Sequence, residues 1–459
     1  MSGTGTLCRY DVVVLGGGPA GSATVLALAR MNPKLSVALV ESSDYTSPRI
    51  GETLPPTALP VLDELGAGHV LDGSVAVAAY GSCAVWGSNE IHDNEFIFHP
   101  QGRGWHLDRR RFDARLAWEA AQRGSAVHLG TRLVAAERTG GHWRLWLQSR
   151  RGGRMPVDCR FVVDASGRRA ILAARQGVER VRYDDLVAAT AFVDFRPGEA
   201  PADTTTLVEA CEHGWWYSAR VPGSRMVAAF FSDADIVRGL GARSTPGWLS
   251  LLEAARHTHA RLRTAARVTR PSIAAAHSQR LEAVSGDSWV AVGDAAGTFD
   301  PLSSQGIGKA LRSALQASSA IGETRDASAE RLERYSCQAA QQYEDYLDVR
   351  AAYYVAEQRW PRSPFWQRRH EHITLHPSRV LSPGSGGVAR GRRARLPVRD
   401  LEQLVAICRT PRTASDVIAR FHAVRGPHIG HRRVLLALQD LISDGLIAAQ
   451  PDRRDESCL

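Results

Sequence analysis

The sequence predicts an α/β fold in which a doubly wound parallel sheet carries an inserted antiparallel β region and a small helical C-terminal unit. Three observations predict it. A buried strand, Val12–Leu15, runs through a glycine turn into a helix and then a second apolar strand, Val37–Val40, that ends in Glu41. Two further apolar strands, Arg160–Asp164 and Ser288–Val292, each end in a small-residue turn, Ala165-Ser-Gly-Arg168 and Gly293-Asp294-Ala-Ala-Gly297. Between them, residues 185–235 alternate with β-branched and aromatic side chains, the pattern of antiparallel strands.

In the first unit, Gly16 permits the tight turn, Gly18 lets a pyrophosphate approach the backbone, and Gly21 lets the helix Ser22–Arg30 pack closely on its strand. Phosphates then meet the helix N-terminus, where unpaired N–H groups and the dipole favour negative charge. Glu41 is placed to accept hydrogen bonds from ribose hydroxyls. A glycine triplet alone would say little. With strand, helix, second strand and acid in register it predicts dinucleotide binding, with Gly16, Gly18, Ala20, Gly21, Glu41 and Arg49 as candidate contacts.

The remaining elements follow in order. Gly51-Glu-Thr-Leu-Pro-Pro56 leads into a helix at Leu59–Leu65, and residues 76–105 contain candidate strands at Ala84–Trp86 and Phe96–Phe98. A helix follows Leu107–Asp113, with short strands near 126–129 and 142–148. Ile307–Ile321 and 328–360 read as helices, and 377–395 as a linker rich in Pro, Gly, Ser and Arg. In the last 60 or so residues, Thr413-Ala-Ser-Asp416 resembles a capping box, Arg432–Ser443 is amphipathic and Gly445 stops it. The expected domains are 1–75, 106–180 and 275–330 for the cofactor and 76–105 and 181–274 for the substrate. A helical extension (331–376), the linker and a winged-helix-like unit (396–459) complete the chain.

Composition excludes several classes. The formal charge is +9, but of 57 basic residues only Lys34 and Lys309 are lysines. Arginine so dispersed along the chain reflects base composition rather than a nucleic-acid surface. Seven scattered cysteines without a CxxC pair argue against a disulfide framework or zinc site. His370-Glu-His372…His376 suits no helix face, so no metal is expected. Met1–Arg9 lacks the apolar core of a signal peptide and no apolar run spans a bilayer, so the expectation is a cytoplasmic protein with no membrane or nucleic-acid partner.

Together, Gly16–Gly21 with Glu41, Asp164–Arg168 and Gly293-Asp294 resemble the FAD-binding scaffold of glutathione-reductase-like flavoproteins. Within that group they are similar to hydroxybenzoate-hydroxylase-type monooxygenases and flavin-dependent halogenases. The resemblance implies that Arg109 meets the FAD phosphates or ribose and Asp294 the ribityl chain. It places Pro301–Gly306 against the isoalloxazine, with the next helix N-terminus stabilising the anionic reduced ring. Gly51-Glu-Thr53, His213-Gly-Trp-Trp-Tyr-Ser218 and Tyr353-Tyr354…Trp366 look like the flavoproteins that mature tryptophylquinone enzymes. That likeness implies FAD-dependent, O2-using hydroxylation of a tryptophan inside a protein or peptide substrate. Ser304, Gln305 and His106 are then the catalytic candidates, and Trp215, Trp216 and Tyr217 the candidate pocket wall.

Halogenases place a lysine beside the flavin, and this chain has none between Lys34 and Lys309. Their Trp-x-Trp-x-Ile-Pro signature is also broken, with Tyr217 at the second Trp. Halogenation, prenyl-reductase-like reduction and a non-catalytic flavin sensor remain the alternatives. No second glycine-rich βαβ unit is present, so either NAD(P)H binding transiently or a separate flavin reductase supplies electrons. The C-terminal unit reads as a docking module for the polypeptide substrate or as a structural cap; nucleic-acid binding is the third reading, for which Arg432 and Arg433 alone are thin phosphate contacts.

Overall fold

The computed structural model describes residues 8–150, 152–322, 328–370, 375–384, 395–426 and 428–450. Part of the His370–His376 motif therefore lies outside the described residues.

The strand Cys8–Leu15 is central in a parallel sheet, paired with Val37–Val40 on one side and Arg154–Asp164 on the other. Ala126–His128 and Trp289–Ala291 extend the sheet at either end, both in parallel register. Val12 and Val14 pack into one core, with the Pro19–Met31 and Gly306–Ile321 helices, while Val13 and Leu15 pack into another. A strand covered on both faces has to be apolar throughout, which is why this segment reads as an unbroken hydrophobic run. The strands end together at Leu15, Val40, Asp164 and Ala291, the edge where such sheets bind ligands.

The inserted region is an eight-stranded sheet centred on Leu186–Asp194, Arg225–Asp233, Gly214–Val221 and Thr206–Cys211. Gly81–Val85 joins it in parallel, and His92–Glu95 pairs with that strand. Phe96–Phe98, read from the sequence as a strand, is instead a 3-10 turn that follows the hairpin. One face of the sheet looks toward the parallel-strand ends. The other is covered by Trp248 and the short helices after Asp233.

The long helix Ala329–Ala356 runs alongside both sheets. Beyond it, helices Val398–Ile407, Ala414–Arg425 and His431–Ser443 share one core with a three-stranded sheet. Its central strand, Val380–Pro383, lies within the segment read as linker. Thr413 caps its helix as expected, accepting from the Asp416 amide at 3.2 Å.

Candidate active site

One long cleft of about 530 Å3 runs from the glycine turn to the inserted sheet, a size suited to a cofactor. Its two ends differ in chemistry.

At the first end, Gly16 adopts φ +113°, and an added Cβ would sit 2.3 Å from the Ala165 carbonyl oxygen. A Cβ on Gly21 would come within 1.8 Å of the Gly16 carbonyl, so Gly21 lies under the helix rather than in the cleft. Around Gly18 nothing lies within 4 Å: this is where the backbone is left open to a ligand. Ala20 lines the cleft beside it.

Glu41 is buried and accepts from the Gly17 amide at 2.6 Å, the Ser43 amide at 2.8 Å and Arg49 at 3.0 Å. Burial alone would raise its pKa. The bonds from Ser43 and Gly17 and the Arg49 charge outweigh it and hold the carboxyl below its usual range. Arg49 bridges from Glu41 to Asp113, 2.7 Å away. Arg109 reaches the same buried Asp113 at 3.1 Å and also donates to the Ile50 and Gly51 carbonyls. One buried carboxylate thus fixes two guanidinium groups in the cleft wall.

At the other end, Asp294 lines the cleft with a side chain 41% exposed, and Lys309 contacts it at 2.9 Å from behind. Burial lowers the Lys309 pKa, and Asp294 counters it. Lys309 also donates to the Gly297 carbonyl, so its ammonium is occupied and does not line the cleft. Pro301, Ser304 and Gly306 line this end, with Ser304 in the left-handed region at φ +51°. Gln305 does not line the cleft. The loop is braced through Asp300, which accepts from Tyr354 at 2.8 Å and from Arg350 at 3.2 Å.

The three aromatic candidates separate. In a strand, neighbours point to opposite faces, so Trp216 packs with Trp248 behind the sheet, away from the cleft. Trp215 faces the right way but stacks on Phe231 at 4.0 Å and donates to Tyr354 at 3.2 Å. It supports the Asp300 brace and does not line the cleft. Tyr217 does. His106, also a candidate, is fully buried, and burial with the nearby Arg261 charge pushes its pKa down to about 3.

His106 nevertheless connects to the cleft. Its Nε2 lies 2.8 Å from Thr206 Oγ1, which lies 3.1 Å from Thr53 Oγ1, which lies 2.8 Å from the Tyr217 hydroxyl. Tyr217 in turn faces Glu52, a residue missed as a candidate. Glu52 is 2% exposed, lines the cleft, and its Oε1 has no hydrogen-bond partner. Burial raises its pKa to about 7. Thr206 lies 153 residues from Thr53, so no local spacing could have revealed this chain.

A family model for tryptophan halogenases matches residues 11–70 and 88–381, a span containing every residue that lines the cleft. The chain belongs to this family. It is accordingly an FAD-dependent oxidoreductase that uses reduced flavin and O2. The chain is 34% identical to the FAD-dependent oxidoreductase LodB of Marinomonas mediterranea, over 80% of this chain and 98% of LodB. The myxobacterial chondrochloren halogenase CndH shares the fold, with a TM-score of 0.71 and 24% identity, over 80% of this chain and 87% of that one. The peptidyl tryptophan dihydroxylase QhpG matches with a TM-score of 0.57 and 26% identity, over 82% of this chain and 84% of QhpG. No helix among the described residues is long and apolar enough to cross a membrane.

The residues present fit FAD. The open backbone at Gly18, the ionised Glu41, two fixed arginines, and a helix N-terminus at Gly306 lie along one continuous cleft.

Proposed function

We propose that this enzyme is a monooxygenase that hydroxylates a tryptophan side chain within a protein or peptide, as a step toward a tryptophylquinone. The observation that carries this reading is the cleft wall itself, in which no lysine stands among the described residues. Both lysines are accounted for elsewhere, Lys309 by its buried pairing with Asp294. Flavin halogenases use a lysine amine beside the flavin to hold and aim the oxidised halide, and the cations that line this cleft are all arginines, whereas hydroxylation of an electron-rich ring needs only orientation and exclusion of water. The likeness to a peptidyl tryptophan dihydroxylase supports the same reading.

Bound in its reduced form, FAD would supply two electrons to O2, so that one oxygen atom enters the substrate and the other leaves as water. The chain's own residues do the rest. Gly16, Gly18 and Ala20 receive the pyrophosphate, Glu41 the adenosine ribose, and Arg49 and Arg109 balance phosphate charge. Asp294 holds the ribityl hydroxyls, and the Gly306 helix N-terminus stabilises negative charge on the reduced ring. Tyr217, Phe231 and Phe299 wall the flavin end with aromatic surface, and Ser304 presents a hydroxyl there. The polypeptide docks against the inserted sheet and the C-terminal unit. Electrons come from NAD(P)H bound transiently or from a separate flavin reductase.

The test is product mass. The flavin-loaded protein, a flavin reductase with NADH, and an unprocessed quinoenzyme polypeptide are incubated with bromide, beside free tryptophan. A gain of one or two oxygen atoms on the polypeptide supports the proposal, and a gain of bromine establishes the halogenase alternative that the family's name favours.

A further inference from the structure

We propose that Glu52 is the proton carrier of this cleft: its carboxylate takes the proton released by the substrate carbon that gains oxygen, and exchanges it with solvent through a second cleft on its other side. The inference rests on the oxygen-insertion reading above and adds to it a residue and a path.

The geometry makes the argument. Glu52 lines the main cleft and also a second polar cleft of about 380 Å3; the two meet at Arg49, Glu52 and Arg109, and Glu52 is the one carboxyl of the three. A buried carboxyl oxygen without a partner is costly unless the protein uses it, because desolvation is not repaid by a hydrogen bond. Here that oxygen belongs to an acid standing between the reaction space and a route to water.

The hydroxyl chain behind Glu52 suits both of its protonation states. Tyr217, Thr53 and Thr206 can each donate and accept, and the neutral His106 ring can close the chain as donor or as acceptor. With Glu52 ionised, every hydroxyl donates toward the carboxylate. With Glu52 protonated, the direction reverses and ends on His106 Nε2. Neither state strands a buried hydroxyl. Tyr217 and His106 themselves do not titrate near neutrality, since burial raises the first pKa far up and lowers the second. Only the carboxyl changes charge. The charged groups around it are Arg109 and Arg49 on the nucleotide side, with Asp108, Arg110, Arg111, Asp194 and Arg225 around the second cleft.

The step balances. The new carbon–oxygen bond forms as the ring C–H bond gives its electron pair back to the ring and its proton to Glu52. Two electrons come from the reduced flavin, and the second oxygen atom leaves as water. If the reduced flavin is anionic, one net proton enters from solvent, and the same carboxyl admits it.

Two measurements test this without any aromatic substrate. Infrared titration of the FAD-loaded protein should show a protonated carboxyl with a midpoint near the raised value of about 7, absent in Glu52→Gln. Reoxidation of photoreduced flavin by O2 should vary with pH across the same range in wild type. It should be flat and slower on the order of 10²-fold in Glu52→Gln, the size expected of a lost acid–base group, with partial recovery in Glu52→Asp. If Glu52→Gln does not hold flavin, Tyr217→Phe serves, because loss of its hydroxyl must move the infrared midpoint upward. A wild-type band that titrates with ordinary carboxyls, or a Glu52→Gln profile equal to wild type, overturns the inference. Neither result depends on a peptide, so a failed peptide assay counts against the proposed substrate alone.

Discussion

A Gly18→Ala substitution adds a methyl group where the structure holds open space, with no atom within 4 Å of the position its Cβ would take. The backbone there, φ −76° and ψ −173°, is one that alanine adopts freely. Alanine caps a helix less well than glycine, but it also stiffens the unfolded chain by about 0.4–1 kcal/mol, so folding stability should scarcely change. The same methyl group projects to where the pyrophosphate must approach. Overpacking of that kind costs about 1–3 kcal/mol, or roughly 5- to 150-fold in FAD affinity. Gly21→Ala should behave differently, because its Cβ would lie 1.8 Å from one carbonyl oxygen and 3.1 Å from the Ala165 side chain. The helix must shift, at about 3 kcal/mol or more. Urea unfolding of the cofactor-free protein and FAD titration followed by flavin fluorescence separate the two variants. Gly18→Ala should unfold like wild type and bind FAD weakly, and Gly21→Ala should lose both. A Gly18→Ala protein with unaltered FAD affinity would refute the placement of the pyrophosphate.

Glu52→Gln should change stability in a pH-dependent way. The folded-state pKa is raised from 4.5 to about 7, so the wild-type contribution is complete below pH 4.5 and is lost as pH rises through 7, amounting to about 3 kcal/mol. Urea unfolding should therefore find the two proteins alike near pH 4 and the variant more stable near pH 9. Lys309→Met leaves Asp294 without its cation and should cost about 1–3 kcal/mol in stability and weaken FAD binding, both read by thermal unfolding with and without FAD. Tyr354→Phe removes the hydroxyl that bonds Asp300. It should leave FAD affinity near wild type while slowing product formation, because the Pro301–Gly306 loop loses a brace worth about 1 kcal/mol.

The parts of the site that were legible in the sequence are those whose physics is local. Gly16, Gly18 and Gly21 each answer a separate steric demand within six residues: the structure shows the tight turn at Gly16 and the close packing at Gly21, and holds open space at Gly18. The acid after Val40 and the helix after Gln305 follow the same logic. The aromatic run Trp215-Trp216-Tyr217 misled because three rings in succession look like one wall. The two-residue period of a strand forbids that, and Trp216 had to face the other way. Gln305 was placed by its neighbours' company, yet only Ser304 and Gly306 of that trio line the cleft. Glu52 stands inside Gly51-Glu-Thr53, a motif read from the sequence as part of a resemblance, with no role given to the acid. Its importance arises only when the Gly214–Val221 strand brings Tyr217 against it, 164 residues away from Thr53 in the chain. Val380–Pro383 was hidden for the same reason, since its partners lie beyond it in sequence and its composition is that of a loop.

The most direct test is a single turnover of the reduced, FAD-loaded protein under 18O2, with a tryptophan-bearing quinoenzyme precursor and excess bromide in normal water. The account predicts heavy oxygen on the indole ring of that one residue and no bromine anywhere. Brominated indole, or oxygen drawn from the water instead of the gas, would contradict it.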